Sequence, residues 1–303
     1  MIEFVKNEFV RNECIIPDYA NVTLTVTNDI IEVQYLEKYN NQNNIKKLDD
    51  DNYLILSTGE IRKFKKNDDR LSNKNSFRQT FKKLRYLINN NFCGLNNELF
   101  ITLTYAENMQ DTDKLYRDLD KFMKRLRYKY KEISRIEYIT VVEPQNRGAW
   151  HAHILIKFID LDKIYIPNAL ISSIWGLGFV NVQSISKMNI DNLGAYLTAY
   201  LTDLPVDDVS LDEFKKAKKF KKVNDKFYIK GARLKLYPKG MNFYRKSMGI
   251  KFPERFNIPY SDIKKYVGTA IPTYSKRLDL NTNDFCNTII YHHYNLKRQK
   301  DNT

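Results

Sequence analysis

Hydrophobic and polar positions change their period several times along the chain, and each change marks an element. Residues 22–27 and 30–35 alternate with period two around Asn28-Asp29, which predicts a hairpin. Residues 53–57 and 60–64 alternate around Thr58-Gly59 in the same way. The period then lengthens. Phe77, Phe81, Leu84 and Ile88 recur at helical spacing with Leu87 beside them, and Ser76 with Gln79 reads as a capping box opening that helix. Residues 99–105 predict a central strand with Thr102 and Thr104 on one face and Ile101, Leu103 and Tyr105 on the other. Leu115, Leu119, Phe122 and Leu126 form the buried stripe of a long helix that Asp111 or Thr112 caps and that runs to Tyr130. Residues 136–142 form the next strand. A turn signalled by Pro144, Asn146, Arg147 and Gly148 leads to another at 151–158. A short helix over 167–174 ends near Gly176 and Gly178, and 179–183 is a short strand, at the edge or as the fourth member of the sheet. Residues 191–203 read as a helix with Asp191 as its cap.

The order strand, helix, strand, turn, strand begins a ferredoxin-like or split βαβ arrangement. The expected fold is α+β: a central antiparallel sheet with helices packed on one face, plus a smaller N-terminal β-rich domain. The expected division is 1–95, β-rich with a basic helix; 96–250, carrying the central sheet; and 251–303, a C-terminal extension. Within that extension a short helix is expected over 261–266, a strand or helix end at 287–291, and a frayed end from 297. His292 and His293 are adjacent, would face opposite ways on a strand, and make a poor metal pair.

Composition adds a partner class. The chain has 50 Lys and Arg against 36 Asp and Glu, a net +14, which favours nucleic acid or an anionic surface unless it reflects only solubility or an AT-rich genome. The charge is concentrated: residues 211–250 hold 13 Lys and Arg against 3 Asp and Glu. Lys215, Lys216, Lys218, Lys219, Lys221 and Lys222 are nearly contiguous and read either as a groove or as a solvated face. Residues 230–237 alternate. Arg233, Lys235, Tyr237, Tyr244, Arg245 and Lys246 interleave cations with rings, as a single-strand groove needs. Cys14, Cys93 and Cys286 lack metal-ligand spacing, suiting a reducing compartment. With no apolar run of membrane-span length and no signal-peptide core, the expected location is cytoplasmic, without a membrane partner.

The candidate chemistry sits in two places. The chain has four histidines, and His151 and His153 share one face of a predicted strand. Glu143 lies across the turn, where an antiparallel neighbour brings it beside them. Two imidazoles and a carboxylate form a ligand set with open positions, suited to Mg²⁺ or Mn²⁺, with imidazole favouring Mn²⁺. An H-x-H pair alone fits a packed strand equally well. Tyr196 and Tyr200 are neighbours four apart on one helix. They are either an aromatic pair packed on the sheet or phenols able to attack a phosphodiester polarised by a metal.

Together these motifs resemble the rolling-circle replication initiators of plasmids, phages and integrated elements of low-GC Gram-positive bacteria, within the HUH endonuclease class. The first family motif is similar to residues 101–105, the paired histidines to His151 and His153 with Glu143 as the upstream acid, and the tyrosine helix to residues 194–200. The likeness runs from about Ser76 to Ile250. It implies a metal-dependent, site-specific DNA endonuclease and strand transferase. Such a protein binds origin duplex, nicks one strand through a 5′-phosphotyrosine intermediate, and leaves a 3′ hydroxyl that primes synthesis. The N-terminal domain would then serve origin recognition, and Arg147 with the 233–246 residues would contact DNA. No Gly-x-x-x-x-Gly-Lys-Ser/Thr stretch occurs, so a host helicase is an expected partner along with a polymerase. The chain departs from single-tyrosine members, which carry lysine three residues after the nucleophile; here that position is Ala199. The Tyr196-x-x-x-Tyr200 spacing is similar to two-tyrosine phage initiators. Tyr196 is the expected first nucleophile and Tyr200 a second nucleophile or positioning residue. Lys187, Arg233 and Arg147 are candidates for orienting the phosphate. A relaxase or transposase of the same chemistry and a non-catalytic DNA-binding repressor are the alternatives.

Overall fold

The computed structural model describes residues 14–39, 45–64, 74–145, 147–188, 190–205, 220–223, 226–238, 240–282 and 285–300. Its strands and helices in chain order begin with β1 (Asn21–Thr27), β2 (Ile30–Leu36), β3 (Ile45–Lys47), β4 (Asn52–Ile55), β5 (Ile61–Lys63) and α1 (Lys74–Asn91). There follow β6 (Glu98–Thr104), α2 (Thr112–Tyr130), β7 (Ile136–Pro144), β8 (Trp150–Phe158), α3 (Asn168–Trp175), β9 (Val180–Ser184) and α4 (Leu193–Thr202). The remaining strands are β10 (Leu204–Pro205), β11 (Phe220–Val223), β12 (Lys226–Ile229), β13 (Tyr244–Lys246), β14 (Arg255–Pro259), β15 (Tyr274–Thr282) and β16 (Phe285–Asn295). The α+β class is as expected. No helix among the described residues is long and apolar enough to cross a membrane.

The chain divides into two compact units, residues 1–73 with 254–303, and residues 74–253. This differs from the expected boundaries at 95 and 250. The basic helix α1 belongs to the second unit, where Leu84, Leu87 and Ile88 are buried against its sheet. The segment from 254 is no appendage: it supplies three strands to the first unit's sheet, ordered β14-β1-β2-β16-β15. Val22, Leu24, Ile31, Val33, Ile263 and Ile290 form that unit's core. His292 is buried there, with Nδ1 3.0 Å from the Tyr260 hydroxyl and Nε2 2.8 Å from the Cys14 carbonyl. His293 bonds Thr273 instead, so the two histidines diverge as expected of a strand.

The second unit is built on the sheet β13-β7-β8-β6-β9, antiparallel throughout, with β8 at its centre. Alternation along β8 sends Ala152, Ile154, Ile156 and Phe158 to one face, packed with Leu115, Leu119, Phe122 and Leu126 of α2 and Ile171 and Trp175 of α3. Leu155 goes to the other face with Phe100, Ile139 and Val141, beneath Leu84, Leu87 and Ile88 of α1 and Leu193, Leu197 and Leu201 of α4. Helices therefore cover both faces, not one. Each of these side chains stabilises the fold by about 1.5–3 kcal/mol when withdrawn from water, so neither apolar stripe is left exposed.

Local signals explain most boundaries. Asp111 caps α2 by accepting from the amides of Asp113 and Lys114. Gly176 ends α3 in the left-handed region. Three expectations change. The helix α1 starts at Lys74, which puts Ser76 inside its first turn and not at its cap. Asn192, not Asp191, caps α4. Residues 232–236 form a 3-10 turn where alternation predicted an extended segment, because Gly231 at φ 76° starts a new turn there.

Candidate active site

The register of β7, β8 and β6 builds the site. Glu143 lies opposite His151 and Val141 opposite His153; on the other side Thr104 lies opposite His151 and Thr102 opposite His153. Period-two alternation puts Glu143, both histidines and both threonines on one sheet face. The turn joining β7 to β8 requires Gly148, at φ 87° and packed so closely that a Cβ would lie 2.9 Å from Gln110 Nε2.

Glu143 is buried, and both its oxygens are engaged. Oε2 is 2.6 Å from His153 Nε2, and Oε1 is 2.6 Å from Arg233 Nη1. Burial pushes this carboxyl up, but the His153 hydrogen bond and the charges of His153 and Arg233 outweigh it, so the net shift is downward and Glu143 is an anion. His153 Nδ1 lies 3.2 Å from the Thr102 hydroxyl, which fixes its ring plane. Burial pushes His151 down to about 4 against the pull of Glu143, so its ring is neutral near pH 7. Its Nε2 is buried and has no hydrogen-bond partner among the described residues.

These donors suit a divalent ion in kind: two imidazoles, one neutral with an unpartnered buried nitrogen, and a carboxylate on the adjacent strand. As arranged, however, no three His, Cys, Asp or Glu side chains among the described residues are grouped to hold an ion. The Glu143–His153 hydrogen bond and the Arg233 ion pair take up the carboxylate, so ligation by all three residues requires Glu143 to exchange at least one partner.

The tyrosine helix α4 lies over the same face. At its start, the Asn192 side chain accepts from Ala195 N at 2.9 Å, while Asn89 of α1 donates to Asn192 and accepts from Gly194 N at 2.8 Å. Gly194 permits this crossing: a Cβ there would lie 2.7 Å from Asn89 Oδ1 and 2.8 Å from the Arg85 carbonyl. The Tyr196 hydroxyl donates to Tyr200 at 3.3 Å, and the Tyr200 ring is 6.0 Å from the His153 ring. Burial, then the Tyr200 hydrogen bond, push the Tyr196 phenol up. At the other end of α4, the Tyr237 hydroxyl contacts the carbonyls of Leu201 and Val142 at 3.1 Å each. Arg233 donates to the carbonyls of Asp203 and Pro144 as well as to Glu143. The helix is pinned at both ends above the histidine pair.

Residues 98–204 match the model of a replication-associated protein family, the ORF2 type. The match begins at the first residue of β6 and ends just beyond α4, so it contains the acid, both histidines and both tyrosines. It supports a replication-initiator family for this segment. No curated protein and no solved structure matches the chain.

The expected DNA-contacting residues fall outside the replication-associated segment except for Arg147, and they separate into two groups. Arg147 is exposed on the β7–β8 turn, with its Nε 3.0 Å from Gln145 Oε1. Lys235, Arg245 and Lys246 are also exposed. Arg245 pairs with Asp120 at 3.2 Å and lies 3.9 Å over the Tyr116 ring, and Lys246 donates to the Ile250 carbonyl. Tyr244 is partly buried on the edge strand β13. Arg233 and Tyr237 are different: both are buried and bonded inward, because their positions on the 232–237 turn face β7 and α4. Their expected role as groove residues is replaced by one in holding Glu143 and α4. The lysines at 215–219 lie outside the described residues. Sequence reasoning missed Asn89, Asn192 and Gly194. An Asn before the apolar row of α4 is a capping signal and was readable; the Asn89 contact, 103 residues away, had none.

Proposed function

We propose that this chain is a rolling-circle replication initiator of the HUH endonuclease class, which nicks and rejoins single-stranded DNA at an origin through a 5′-phosphotyrosine. The observation that carries the reading is the placement of Glu143, His151 and His153 on one sheet face beneath the Tyr196–Tyr200 helix, inside the segment that matches a replication-associated family.

Glu143, His151 and His153 hold Mg²⁺ or Mn²⁺, which when bound polarises the scissile phosphate and offsets the charge that develops on it. The residues of the chain do the rest. Thr102 sets the His153 ring, and Arg233 keeps Glu143 ionised and in place until the ion binds. The phenolic oxygen of Tyr196 attacks phosphorus and the bond to the 3′ oxygen breaks. The phenol's proton is transferred to the departing 3′ oxygen, which leaves as a hydroxyl, and the phosphodiester is conserved on tyrosine. Because burial disfavours the phenolate, deprotonation of Tyr196 is coupled to substrate entry. Tyr200 then serves the second transfer. A second reading makes Tyr200 the first nucleophile; it draws on the ring contact between Tyr200 and His153 and on the greater exposure of Tyr200. Arg147, Lys235, Arg245 and Lys246 contact the DNA backbone, residues up to 73 with those from 254 serve origin duplex recognition, and a host helicase and polymerase complete replication in the cytoplasm.

The test uses the full chain with 3′-labelled single strands tiling the DNA that flanks its own gene. A covalent adduct is expected with Mn²⁺ or Mg²⁺, lost on chelation and lost in the Tyr196→Phe/Tyr200→Phe double variant. An adduct that persists in the double variant, or that needs no metal, refutes the reading.

A further inference from the structure

The edge strand β9 carries a row of side chains that the site described above does not use. Its register with β6 pairs Val180 with Leu103, Asn181 with Thr102, Val182 with Ile101 and Gln183 with Phe100. Phe179, one residue earlier, stays in register, because its carbonyl accepts from Thr104 N at 2.9 Å. Alternation then fixes the faces. Val180 and Val182 pack into the core beneath α2 and α3. Phe179, Asn181 and Gln183 therefore point to the opposite face, the one that bears Glu143, His151 and His153.

All three side chains are exposed, and Phe179 is 75 % exposed. Two rows cross this sheet face. One runs Glu143, His151, Thr104, Phe179; the next runs Val141, His153, Thr102, Asn181. Neighbouring strands are about 4.8 Å apart, so Phe179 stands roughly 10 Å from His151 across the face. The residue between them is a threonine, whose short side chain leaves the way open. A lone exposed phenylalanine is ordinary. A phenylalanine in line with the candidate ligands, followed on the same face by two exposed carboxamides, has a specific chemistry. Rings stack on bases, and carboxamides pair with base edges through a donor and an acceptor each. Exposed Lys187 lies just beyond, in the turn Ile185–Lys187, and supplies a cation for the backbone.

We propose that Phe179, Asn181 and Gln183 form a base-binding strip for single-stranded DNA leading into the catalytic face, with Phe179 stacking on a base next to the scissile phosphate and the two carboxamides reading bases beyond it. The strip rests on the nicking reading for the identity of its ligand.

Fluorescence anisotropy of the full chain with a fluorescein-labelled mixed-sequence 30-nucleotide single strand tests it. Phe179→Ala is expected to weaken binding by about 5- to 100-fold, and Phe179→Trp to retain it. Asn181→Ala with Gln183→Ala is expected to flatten the preference among homopolymer strands. Strands carrying 5-iodouracil are expected to photocrosslink to the peptide containing Phe179. The side chain is exposed, so unchanged circular dichroism is expected in each variant. Full-strength binding by Phe179→Ala, together with a normal tyrosine adduct, overturns the strip alone. Phe179-dependent binding without any adduct overturns the nicking reading and leaves the strip standing.

Discussion

Replacing Tyr237 by Phe separates the role the structure gives this residue from that of a base-stacking ring. The substitution removes one hydroxyl and keeps the ring, whose neighbours Phe243 and Trp150 stay at centroid distances of 4.5 and 6.1 Å. No cavity forms, so the cost lies in the hydrogen bonds. The Leu201 carbonyl belongs to the last turn of α4, where carbonyls have no donor within the helix, and Tyr237 supplies one at 3.1 Å. Val142 O shares the same proton at 3.1 Å. Leaving a buried acceptor unsatisfied costs about 1–3 kcal/mol. For a unit of this size that is a fall in melting temperature of roughly 2–12 °C. The loss falls on the contact that holds the tyrosine helix over β7, so covalent adduct formation slows while the nucleophile is intact. Differential scanning calorimetry and a timed adduct assay read the two effects. A ring that serves only to stack on bases predicts no change in either. An unchanged melting temperature with an unchanged adduct rate refutes the pinning role.

Gly194→Ala gains about 1 kcal/mol in helix propensity but meets the Arg85 backbone carbonyl, which cannot retreat as a side chain does. Overpacking at about 1–3 kcal/mol wins, so urea denaturation shows a net loss and α4 shifts away from α1. Glu98→Gln replaces a fully buried carboxylate that accepts from the amides of Cys93, Gly94 and Leu95 and pairs with Lys157 at 3.1 Å. The variant loses about 2–3 kcal/mol, measured by urea denaturation, since each of those bonds is charge-assisted. The Arg135 guanidinium and amide beside Asp160 hold its carboxyl down at about 2. The stabilisation from this pair is present above the unfolded value near ~4 and disappears as pH falls through about 2. A carboxyl NMR titration of Asp160 checks this, and a midpoint near 4 contradicts it.

The parts of the fold with local signals were readable from the chain. Asp111 announced α2, the Leu115–Leu126 stripe gave its buried face, and alternation from His151 put both histidines on one side of β8. The turn after Glu143 gave the carboxylate its neighbour. What was not readable depends on contacts between distant residues. Nothing near Tyr244 shows that β13 closes the sheet beside β7, a hundred residues earlier. Nothing near residue 255 or 285 shows that β14 and β16 flank the N-terminal hairpin. Arg233 and Tyr237 read as surface cation and ring because the alternating pattern hid the turn begun at Gly231. A buried arginine is unusual enough that only its partner, Glu143, explains it. Phe179 shows the converse: its strand was recognised, but its exposure follows only from the register of Val180 and Val182 with the core.

Mass spectrometry of the DNA-linked peptide tests the central claim most directly. The full chain is incubated with Mn²⁺ and the single strand that it cleaves, digested with nuclease and protease, and searched for nucleotide-modified residues. The expected result is a phosphodiester-linked nucleotide on the α4 peptide, on Tyr196 or on Tyr200. A modification on any residue outside Leu193–Thr202, or cleavage without a covalent protein product, contradicts the claim that this helix carries the nucleophile.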